Sequence, residues 1–272
     1  MKKIFALLIA ILMLTTLVAC ADKDDTGNPL ETLEISDNSF SNNTVGSFTY
    51  EVGADGHYEI TKYTVNKATD HEVVIPKEIA GIAVTSIADE AFRDLNSITK
   101  VTIPDTVERI GNFVFADCDK LTTVVMADSI EELGTGLFYG CDAINNVSLP
   151  KLVTKIPDQC FWGCPSLSTI SLVGCDDLTV IGEAAFFNCD ALVSFTIPAT
   201  VTEIQDVAFY DCDKLVSITV PASVTAVGDA AFGEISTRIT FKTTKGSFFE
   251  GYFNEIYAVN EKYYSHYELV LN

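Results

Sequence analysis

The chain has 272 residues, 48% of them hydrophobic and 20% charged, a composition that excludes a disordered protein and allows a sizeable core. Its 38 acidic residues outnumber 17 lysines and arginines, and the net charge of −21 argues against nucleic acid as a partner because phosphates would be repelled. The sequence contains no phosphate-binding loop, GxGxxG or HExxH motif, so these signatures of nucleotide-binding proteins and zinc enzymes are missing.

The N-terminus predicts a secreted protein with a lipid anchor. Residues 1–19 join two lysines to an apolar run that is too short for an ordinary membrane span, as in a signal peptide. They lead into Leu17-Val18-Ala19-Cys20, which resembles the bacterial lipobox, a signal in which the cysteine is acylated and becomes the first mature residue. The alternative is an ordinary secretory peptide followed by an incidental cysteine. The resemblance implies an extracytoplasmic protein, lipid-anchored to the bacterial cell envelope through Cys20.

The next segments are a tether and an N-terminal cap. Residues 20–45 begin with the lipidated cysteine and are rich in Asp, Asn, Ser and Thr, which predicts a flexible tether. The folded part is expected to consist of an N-terminal cap and repeats over residues 46–240 and a C-terminal cap over residues 241–272. Alternating apolar residues after position 48 predict a β-hairpin around Asp55-Gly56 that covers an open sheet edge.

A phenylalanine recurs at a period of 23 residues, with one gap of 25 that reflects an insertion within residues 173–177. These residues are Phe92, Phe115, Phe138, Phe161, Phe186, Phe209 and Phe232. Each unit carries an alternating apolar strand, often a proline, a second apolar pair, usually a glycine that allows a turn, and then the phenylalanine. One unit is too small to enclose its apolar side chains, so neighbouring units must bury them. The period therefore predicts a mostly β repeat solenoid with short helical turns.

The repeat resembles a known family. The pattern L-x-x-I-x-I-P-x-x-V-x-x-I-G-x-x-A-F-x-x-C appears at residues 192–212, with Gln205 where glycine is usual, and it resembles the BspA-like class of leucine-rich repeats. The resemblance covers about residues 70–240 and implies a right-handed leucine-rich-repeat coil. It also implies a surface protein that attaches to host matrix proteins or to other cells. The aromatic, off-period tail predicts an irregular C-terminal cap.

Five cysteines share one repeat position, and we call them the cysteine column. They are Cys118, Cys141, Cys164, Cys189 and Cys212. The same position holds Leu95 and Ile235 at the two ends of the array, so it is expected to be apolar and buried, with cysteine acting as a small hydrophobe. Occasional disulfides or a metal site are the alternatives. Cys160 is expected to be a small core filler, and Cys175, in the insertion, the most accessible cysteine.

Neither catalysis nor a cofactor is predicted. His57, His71 and His266 share no repeat register with a nucleophile, so we expect no enzyme, no catalytic residue and no resident metal. An acidic ladder follows the cysteine column at Asp119, Asp142, Asp190 and Asp213. Aspartates at a fixed turn position are expected to accept backbone N–H bonds in Asx turns. Calcium binding is the alternative, although one column offers few of the six to eight oxygens that calcium needs.

Two outward columns could contact a partner. The first strand of each unit presents small, mostly hydroxyl-bearing residues, which we call the hydroxyl face. Its members are Lys100, Thr102, Thr123, Val125, Asn146, Ser148, Thr169, Ser171, Ser194, Thr196, Ser217 and Thr219. The second column, the aromatic stripe, consists of the residues that follow four of the phenylalanines: Tyr139, Trp162, Phe187 and Tyr210. Solvated strand residues and rings that pack on one another are the structural alternatives.

The sequence therefore predicts a cell-surface lipoprotein that acts as a recognition or adhesion module through its extended repeat surface. Its expected ligand is a host matrix or cell-surface protein. The alternative is a glycan-capture lipoprotein that serves polysaccharide degradation or uptake, which predicts oligosaccharide binding that is lost when Trp162 and Tyr210 become alanine. A hydrolase is a third possibility and predicts turnover on a generic substrate panel.

Overall fold

The computed structural model describes residues 32–33, 46–53, 55–66, 71–258 and 261–272. The predicted signal peptide, residues 1–19, and Cys20 lie outside the described residues. The predicted tether, residues 20–45, also lies outside them except for the short strand β1 (Thr32–Leu33). No helix among the described residues is long and apolar enough to cross a membrane.

The N-terminal cap is the predicted hairpin. Strand β2 (Gly46–Val52) pairs with β3 (Tyr58–Val65) in antiparallel fashion, and β1 pairs with the other edge of β2. The connecting turn places Gly56 at a φ of +82°, a left-handed conformation that glycine adopts without steric cost. β3 then pairs in parallel with a strand of the first repeat, so the hairpin extends a ladder of the solenoid and covers its edge.

The first strands of the units form one parallel ladder, divided into three segments. In chain order they are β4 (Glu72–Val74), β7 (Lys100–Thr102) and β9 (Thr123–Val125); β11 (Asn146–Ser148) and β13 (Thr169–Ser171); β15 (Ser194–Thr196), β17 (Ser217–Thr219), β19 (Ile239–Thr243) and β20 (Tyr267–Leu271). Most of these pairs join residues that are 23 apart, such as Ser194 with Ser217, whereas Glu72 in β4 and Lys100 in β7 are 28 apart. The predicted insertion follows β13, where Val173 is 81% exposed.

The second strands form another parallel ladder on a different side of the unit. They are β6 (Ile82–Ile87), β8 (Arg109–Ile110), β10 (Glu132–Leu133), β12 (Lys155–Ile156), β14 (Val180–Ile181), β16 (Glu203–Ile204) and β18 (Ala226–Val227), and the short β5 (Glu78–Ile79) pairs antiparallel with β6. β10 and β12 belong to separate sheets. The register between β12 and β14 pairs residues that are 25 apart, so the insertion is absorbed without breaking the ladder there.

The third side of each unit consists of consecutive turns where short helical turns were predicted. Two residues per unit, four positions apart, are left-handed, as Phe113 and Asp117 show with φ of +52° and +58°. Alternate N–H groups donate to the next unit: Phe115 N–H donates to Leu137 O at 3.0 Å, and Asp117 N–H to Tyr139 O at 2.7 Å. These bonds between units compensate the strain of non-glycine residues at positive φ.

The repeat glycines serve close approach rather than turn freedom, which differs from the prediction. Asp206 Oδ1 accepts the N–H of Asp229, which belongs to the next unit, at 2.8 Å. A β-carbon on Gly228, the residue before Asp229, would collide with that carboxylate and its backbone. The same arrangement joins Asp158 to Gly182, where the collision would be at 2.5 Å. Glycine is therefore required because a carboxylate of the preceding unit occupies the space of its side chain.

The repeated phenylalanines form a continuous stack through the core. Each is fully buried, and the ring centroids of successive units are 5.0 to 5.7 Å apart. At the N-terminal end Tyr63 stacks on Phe92 at 5.3 Å, and at the C-terminal end Phe241 and Phe249 meet Phe232 edge to face. Burial of such a ring stabilises the fold by about 1.5–3 kcal/mol. The predicted leucine-rich-repeat solenoid is confirmed.

The C-terminal cap is more regular than predicted. It contains the helix α1 (Phe248–Phe253), a π-helical turn at Asn254–Ala258, the helix α2 (Glu261–Tyr264) and strand β20. β20 continues the first-strand ladder, but 28 residues separate the paired Ile239 and Tyr267, so the cap is off the period as expected. The predicted boundary at residue 241 falls within β19. The helices and the strand of the cap were not predicted from the sequence, because aromatic contacts between these elements stabilise them.

Candidate interaction surfaces

The hydroxyl face points outward as predicted. In β9, β11, β15 and β17 the middle residue of the strand is buried and the two flanking residues point to the other side of the sheet. This follows from the alternation of side chains along a strand. Within each segment of the ladder the strands pair in register, so equivalent residues of paired strands lie on neighbouring rungs about 4.8 Å apart. Five strands from β9 to β17 contribute to the face, in three separately paired groups: β9, β11 with β13, and β15 with β17.

The central part of the hydroxyl face carries no charge. From β9 to β17 its ten members are Thr, Ser, Asn and Val, in a protein with a net charge of −21. Charged residues border both ends of the strip, where Lys100 pairs with Glu72 at 3.4 Å and Arg238 with Glu268 at 3.2 Å. A macromolecule can cover the strip without removing a charged group from water, which is the costly step in forming an interface.

The hydroxyl groups of this face are available to a partner. The adjacent column uses its hydroxyls within the fold, since Thr122 Oγ1 donates to Thr99 O at 3.0 Å and Ser168 Oγ to Asn145 O at 3.2 Å. Among the described residues, no intramolecular hydrogen bond uses the side-chain hydroxyls of Ser148, Thr169, Ser171, Ser194, Thr196, Ser217 or Thr219. These groups can both donate and accept, so they can adapt to the backbone or side chains of a protein ligand.

The aromatic stripe is a stack of half-buried rings. Tyr139 and Trp162 have ring centroids 5.9 Å apart, Trp162 and Phe187 4.1 Å, and Phe187 and Tyr210 5.1 Å, with interplanar angles of 8° to 21°. Phe113, which was not predicted as part of the stripe, meets Tyr139 edge to face at 6.1 Å. The rings of Phe113 and Tyr210 lie over Gly136 and Gly233, where a β-carbon would collide with them.

Stacking changes what the stripe can bind. A ring recognises a sugar by presenting its face, and the faces of Trp162 and Phe187 are covered by their neighbours in the stripe. The edges of these rings, rather than their faces, are exposed to solvent. The geometry agrees with the structural alternative, in which the rings pack on one another, and it leaves an apolar ridge along this side of the solenoid.

The cysteine column packs in the core as predicted. All five thiols are fully buried, as is Cys160, and the seven cysteines among the described residues form no disulfide. Burial raises the pKa of the Cys118, Cys164 and Cys212 thiols to about 12, so at neutral pH almost no thiolate is present to act as a nucleophile. Cys175, predicted to be accessible, is only 3% exposed because its thiol turns inward toward Pro150 O at 3.4 Å.

The thiols of the cysteine column are hydrogen-bond donors, which the sequence did not reveal. Each Sγ–H donates to the carbonyl of the phenylalanine in the preceding unit, at 2.9 to 3.1 Å between Sγ and O. Cys164 and Phe138 O form one such pair at 3.0 Å. These carbonyls lie in the core, where an acceptor without a partner is costly. A cysteine therefore fills space and satisfies a carbonyl at the same time.

In the acidic ladder, Asp213 joins two units rather than closing a local turn. Asp213 Oδ1 accepts the N–H of Ser236 in the next unit at 3.2 Å, and Asn96, in the same column, accepts that of Asp119 at 2.8 Å. Within the part of the chain that the structure describes, no group of three or more His, Cys, Asp and Glu side chains could hold a metal ion.

The three histidines are placed at the two caps. His57 Nδ1 lies 3.1 Å from an Asp55 oxygen in the hairpin turn, and His71 Nδ1 lies 2.8 Å from Ser97 O. His266 Nε2 lies 2.6 Å from Ile235 O in the C-terminal cap. Each histidine ring is thus bonded near an end of the array and away from the two central columns. The prediction that the protein has no catalytic residue remains a prediction.

Comparisons with known proteins identify the repeat. A family model for the BspA type leucine rich repeat region matches residues 85–212 and 171–264, in six copies. A leucine-rich repeat protein of Bacteroides ovatus superposes with a TM-score of 0.53 at 24% identity, over 74% of this chain and 64% of its own. A leucine rich cell surface protein of Faecalibacterium prausnitzii gives a TM-score of 0.41 at 22% identity, over 81% and 77% of the two chains. A search of the curated proteins finds no relative.

Proposed function

The chain belongs to the family of BspA-type leucine-rich repeat proteins, and on that premise we propose that it is a recognition module held at the outer surface of a bacterial cell. Solenoids of this kind bind through extended surfaces, because equivalent residues of successive units line up side by side. The proposed ligand is a host matrix or cell-surface protein, the kind of partner that the family resemblance implies.

The hydroxyl face is the proposed docking surface. The observation that carries the proposal is its uncharged central strip, with free hydroxyls on successive rungs of a strongly acidic protein. A flat strip of this kind suits a protein partner, which can bury it while forming hydrogen bonds at a density of about one per 100–200 Å². The glycan-capture alternative has less support, because the rings that would stack on sugars already stack on one another.

The proposed anchor is an acylated Cys20. Residues 1–19 would be removed, and several acyl chains on one cysteine would hold the protein firmly on the membrane, whereas a single chain binds reversibly. Residues 20–45 would then separate the repeats from the bilayer, so that the hydroxyl face is free to meet a partner. The support for this anchor is the sequence Leu17-Val18-Ala19-Cys20 together with the preceding basic and apolar segments.

A binding array tests the docking surface. The full chain, purified in detergent, is applied to immobilised matrix proteins, cell-surface proteins and glycans. We expect retention on a protein and little response to sugars. Arginine at Thr169 or Ser194, in the centre of the hydroxyl face, should weaken that binding by about tenfold or more, because a bulky charge would be buried in the interface. The control Ala226→Arg places the same side chain on the exposed second-strand side.

Two outcomes would contradict this proposal. If Thr169→Arg and Ser194→Arg bind the retained protein as well as the unsubstituted chain does, the hydroxyl face is not the contact surface. If the chain is retained only by oligosaccharides, and Trp162→Ala and Tyr210→Ala abolish that retention, the glycan-capture alternative replaces the proposal. Thermal unfolding of every variant separates loss of binding from loss of fold.

A further inference from the structure

We propose that the aromatic stripe is a second docking surface, which takes an extended, arginine- or lysine-rich segment of a protein partner. The proposal is independent of the hydroxyl face, which uses different residues on a different side of the unit. It commits to a basic segment because of the charges along the stripe and because the protein already places one of its own arginines in this column.

Among the described residues, no segment packs over the outer edges of the stripe, which therefore forms an apolar surface. Its rings are half-buried, with their faces against each other and their edges outward, over four successive units. Lysine and arginine side chains have apolar stems that pack on such surfaces while their charged ends remain near water or a counterion. An extended segment can therefore lay several stems along the ridge of ring edges.

Carboxylates border the C-terminal end of the stripe, and we call them the acidic margin: Asp190, Asp211, Asp213 and Glu234. Three of the four are half-buried, and Glu234 is exposed. Among the described residues no lysine, arginine or histidine pairs with any of them. Burial, followed by repulsion from the other three carboxylates, raises the pKa of Asp211. A cationic group placed here would relieve that repulsion.

The protein itself shows that a guanidinium fits this column. Arg93 occupies the repeat position of the stripe residues, with its Cζ 5.9 Å from the ring centroid of Phe113. Its Nη1 lies 2.8 Å from a Glu90 oxygen and its Nη2 3.2 Å from an Asp117 oxygen. One arginine thus combines an aromatic contact with two carboxylate contacts at the N-terminal end of the array.

The opposite end also presents a ring and carboxylates, at other repeat positions, and no cation among the described residues pairs with them. Gly233 stands in the column position that Arg93 fills at the other end, and it contributes no side chain. The Tyr210 ring lies over Gly233. Burial, followed by repulsion from Glu234 and Asp211, raises the pKa of Tyr210, so both carboxylates lie close to this ring. An arginine supplied by a partner would complete here the arrangement that Arg93 completes within the chain. The net charge of −21 would also speed the encounter with a basic segment.

The only tryptophan of the chain, Trp162, lies within the stripe and serves as a local reporter. The full chain in detergent is titrated with a ten-residue peptide of alternating Arg and Gly, and Trp162 fluorescence is followed. We expect a saturable change that a peptide of alternating Glu and Gly does not produce. A peptide with uncharged citrulline in place of arginine should bind at least about tenfold more weakly, because the two charge-assisted contacts are lost.

Matched charge variants distinguish the acidic margin from the overall charge. The double variant Asp211→Asn/Glu234→Gln should weaken binding of the arginine peptide by about tenfold. The double variant Glu131→Gln/Glu132→Gln removes the same charge from exposed positions on the second-strand side and should leave the affinity unchanged. Ser194→Arg, on the hydroxyl face, should also leave it unchanged, so failure of the docking proposal above would not affect this result.

Three results would overturn the proposal. Equal weakening by the two double variants would mean that only net charge attracts the peptide. Equal binding of the citrulline peptide would mean that the cation is not recognised. Absence of any saturable response of Trp162 would mean that the stripe does not bind basic segments, whatever the hydroxyl face retains.

Discussion

At the residue scale, the cysteine column shows how one side chain meets two demands of a stacked core. The carbonyl of each repeated phenylalanine points into the interior, where a hydrogen-bond acceptor without a partner is costly. Thiols from the next unit donate to five of these seven carbonyls, and at the C-terminal end the Tyr267 hydroxyl donates to Phe232 O at 2.6 Å in the same role. The column therefore contains donors that are small enough to be buried between rungs.

Substitution of Cys212 tests this role. Its thiol donates to Phe186 O at 3.0 Å, and no other donor to this carbonyl lies among the described residues. Alanine removes the donor, so we expect the free energy of unfolding to fall by about 1–3 kcal/mol. Serine keeps a donor and should cost less than alanine. Denaturant unfolding of the two variants measures the order.

Cys160 is the matched control, because its thiol is equally buried and has no acceptor within the described residues. A serine hydroxyl at position 160 would be buried without an acceptor, so serine should lower the free energy of unfolding more than alanine does. The same order at both positions would mean that the thiol of Cys212 acts only as a hydrophobe.

At the element scale, the corner after each second strand couples two neighbouring units. An aspartate of one unit binds the backbone N–H of the next unit, as Asp89 Oδ1 accepts from Asn112 N at 2.7 Å and Asp206 Oδ1 from Asp229 N at 2.8 Å. The residue before that N–H is glycine in both cases. In one unit Gln205 occupies the position of this glycine, and the aligned residue of the preceding unit is Glu183 rather than an aspartate. There the N–H of Glu183 donates to Gln205 Oε1 at 3.2 Å.

Gly228→Ala tests the coupling. The added β-carbon would collide with Asp206 of the preceding unit, and the rigid backbone on both sides limits relaxation. We expect a loss of about 1–3 kcal/mol in the free energy of unfolding, as for other overpacked sites. The measurement is denaturant unfolding monitored by circular dichroism.

Gly251→Ala is the control for this prediction. Gly251 is exposed within α1 and has no atom within 4 Å of an added β-carbon. Alanine there should stabilise the protein by about 0.5–1 kcal/mol, because glycine is the poorer helix former. A Gly228→Ala variant as stable as Gly251→Ala would show that the close approach is not a constraint.

At the scale of the whole molecule, the sides of the solenoid carry different surface chemistry. The first strands present an uncharged strip with free hydroxyls, and the third side presents stacked rings bordered by carboxylates. This division follows from the fixed period, because each repeat position always emerges on the same side. A repeat protein built in this way can present two chemically distinct ridges to its surroundings.

The proposed anchor also belongs to this scale, and acylation of Cys20 tests it. In a bacterial host, cells that express the full chain are grown with radiolabelled palmitate. We expect label on the protein, lost in Cys20→Ala and kept in Cys175→Ala, because only the lipobox cysteine would be acylated. An unlabelled unsubstituted protein would identify residues 1–19 as an ordinary secretory peptide followed by an incidental cysteine.

The sequence predicted most of the architecture and less of the surface chemistry. The phenylalanine period predicts the solenoid, and the insertion within residues 173–177 is found where the period predicted it. The accessibility of Cys175 was wrong, because the insertion turns the thiol inward and exposes Val173 instead. The regular C-terminal cap was also missed, since Tyr257 and Tyr267 gain their environment from residues distant in the chain.

By itself the sequence determined the stacked units, the buried column and the outward hydroxyl face, because a period of 23 residues and the alternation of a strand fix which positions point inward. Only the tertiary structure shows that the thiols are hydrogen-bond donors and that the aromatic rings cover one another's faces. It also shows that aspartates of the preceding unit occupy the space where a side chain on the repeat glycines would lie. Each of these is a contact between neighbouring units. Its geometry depends on the rise and register of the stack, which no single repeat encodes.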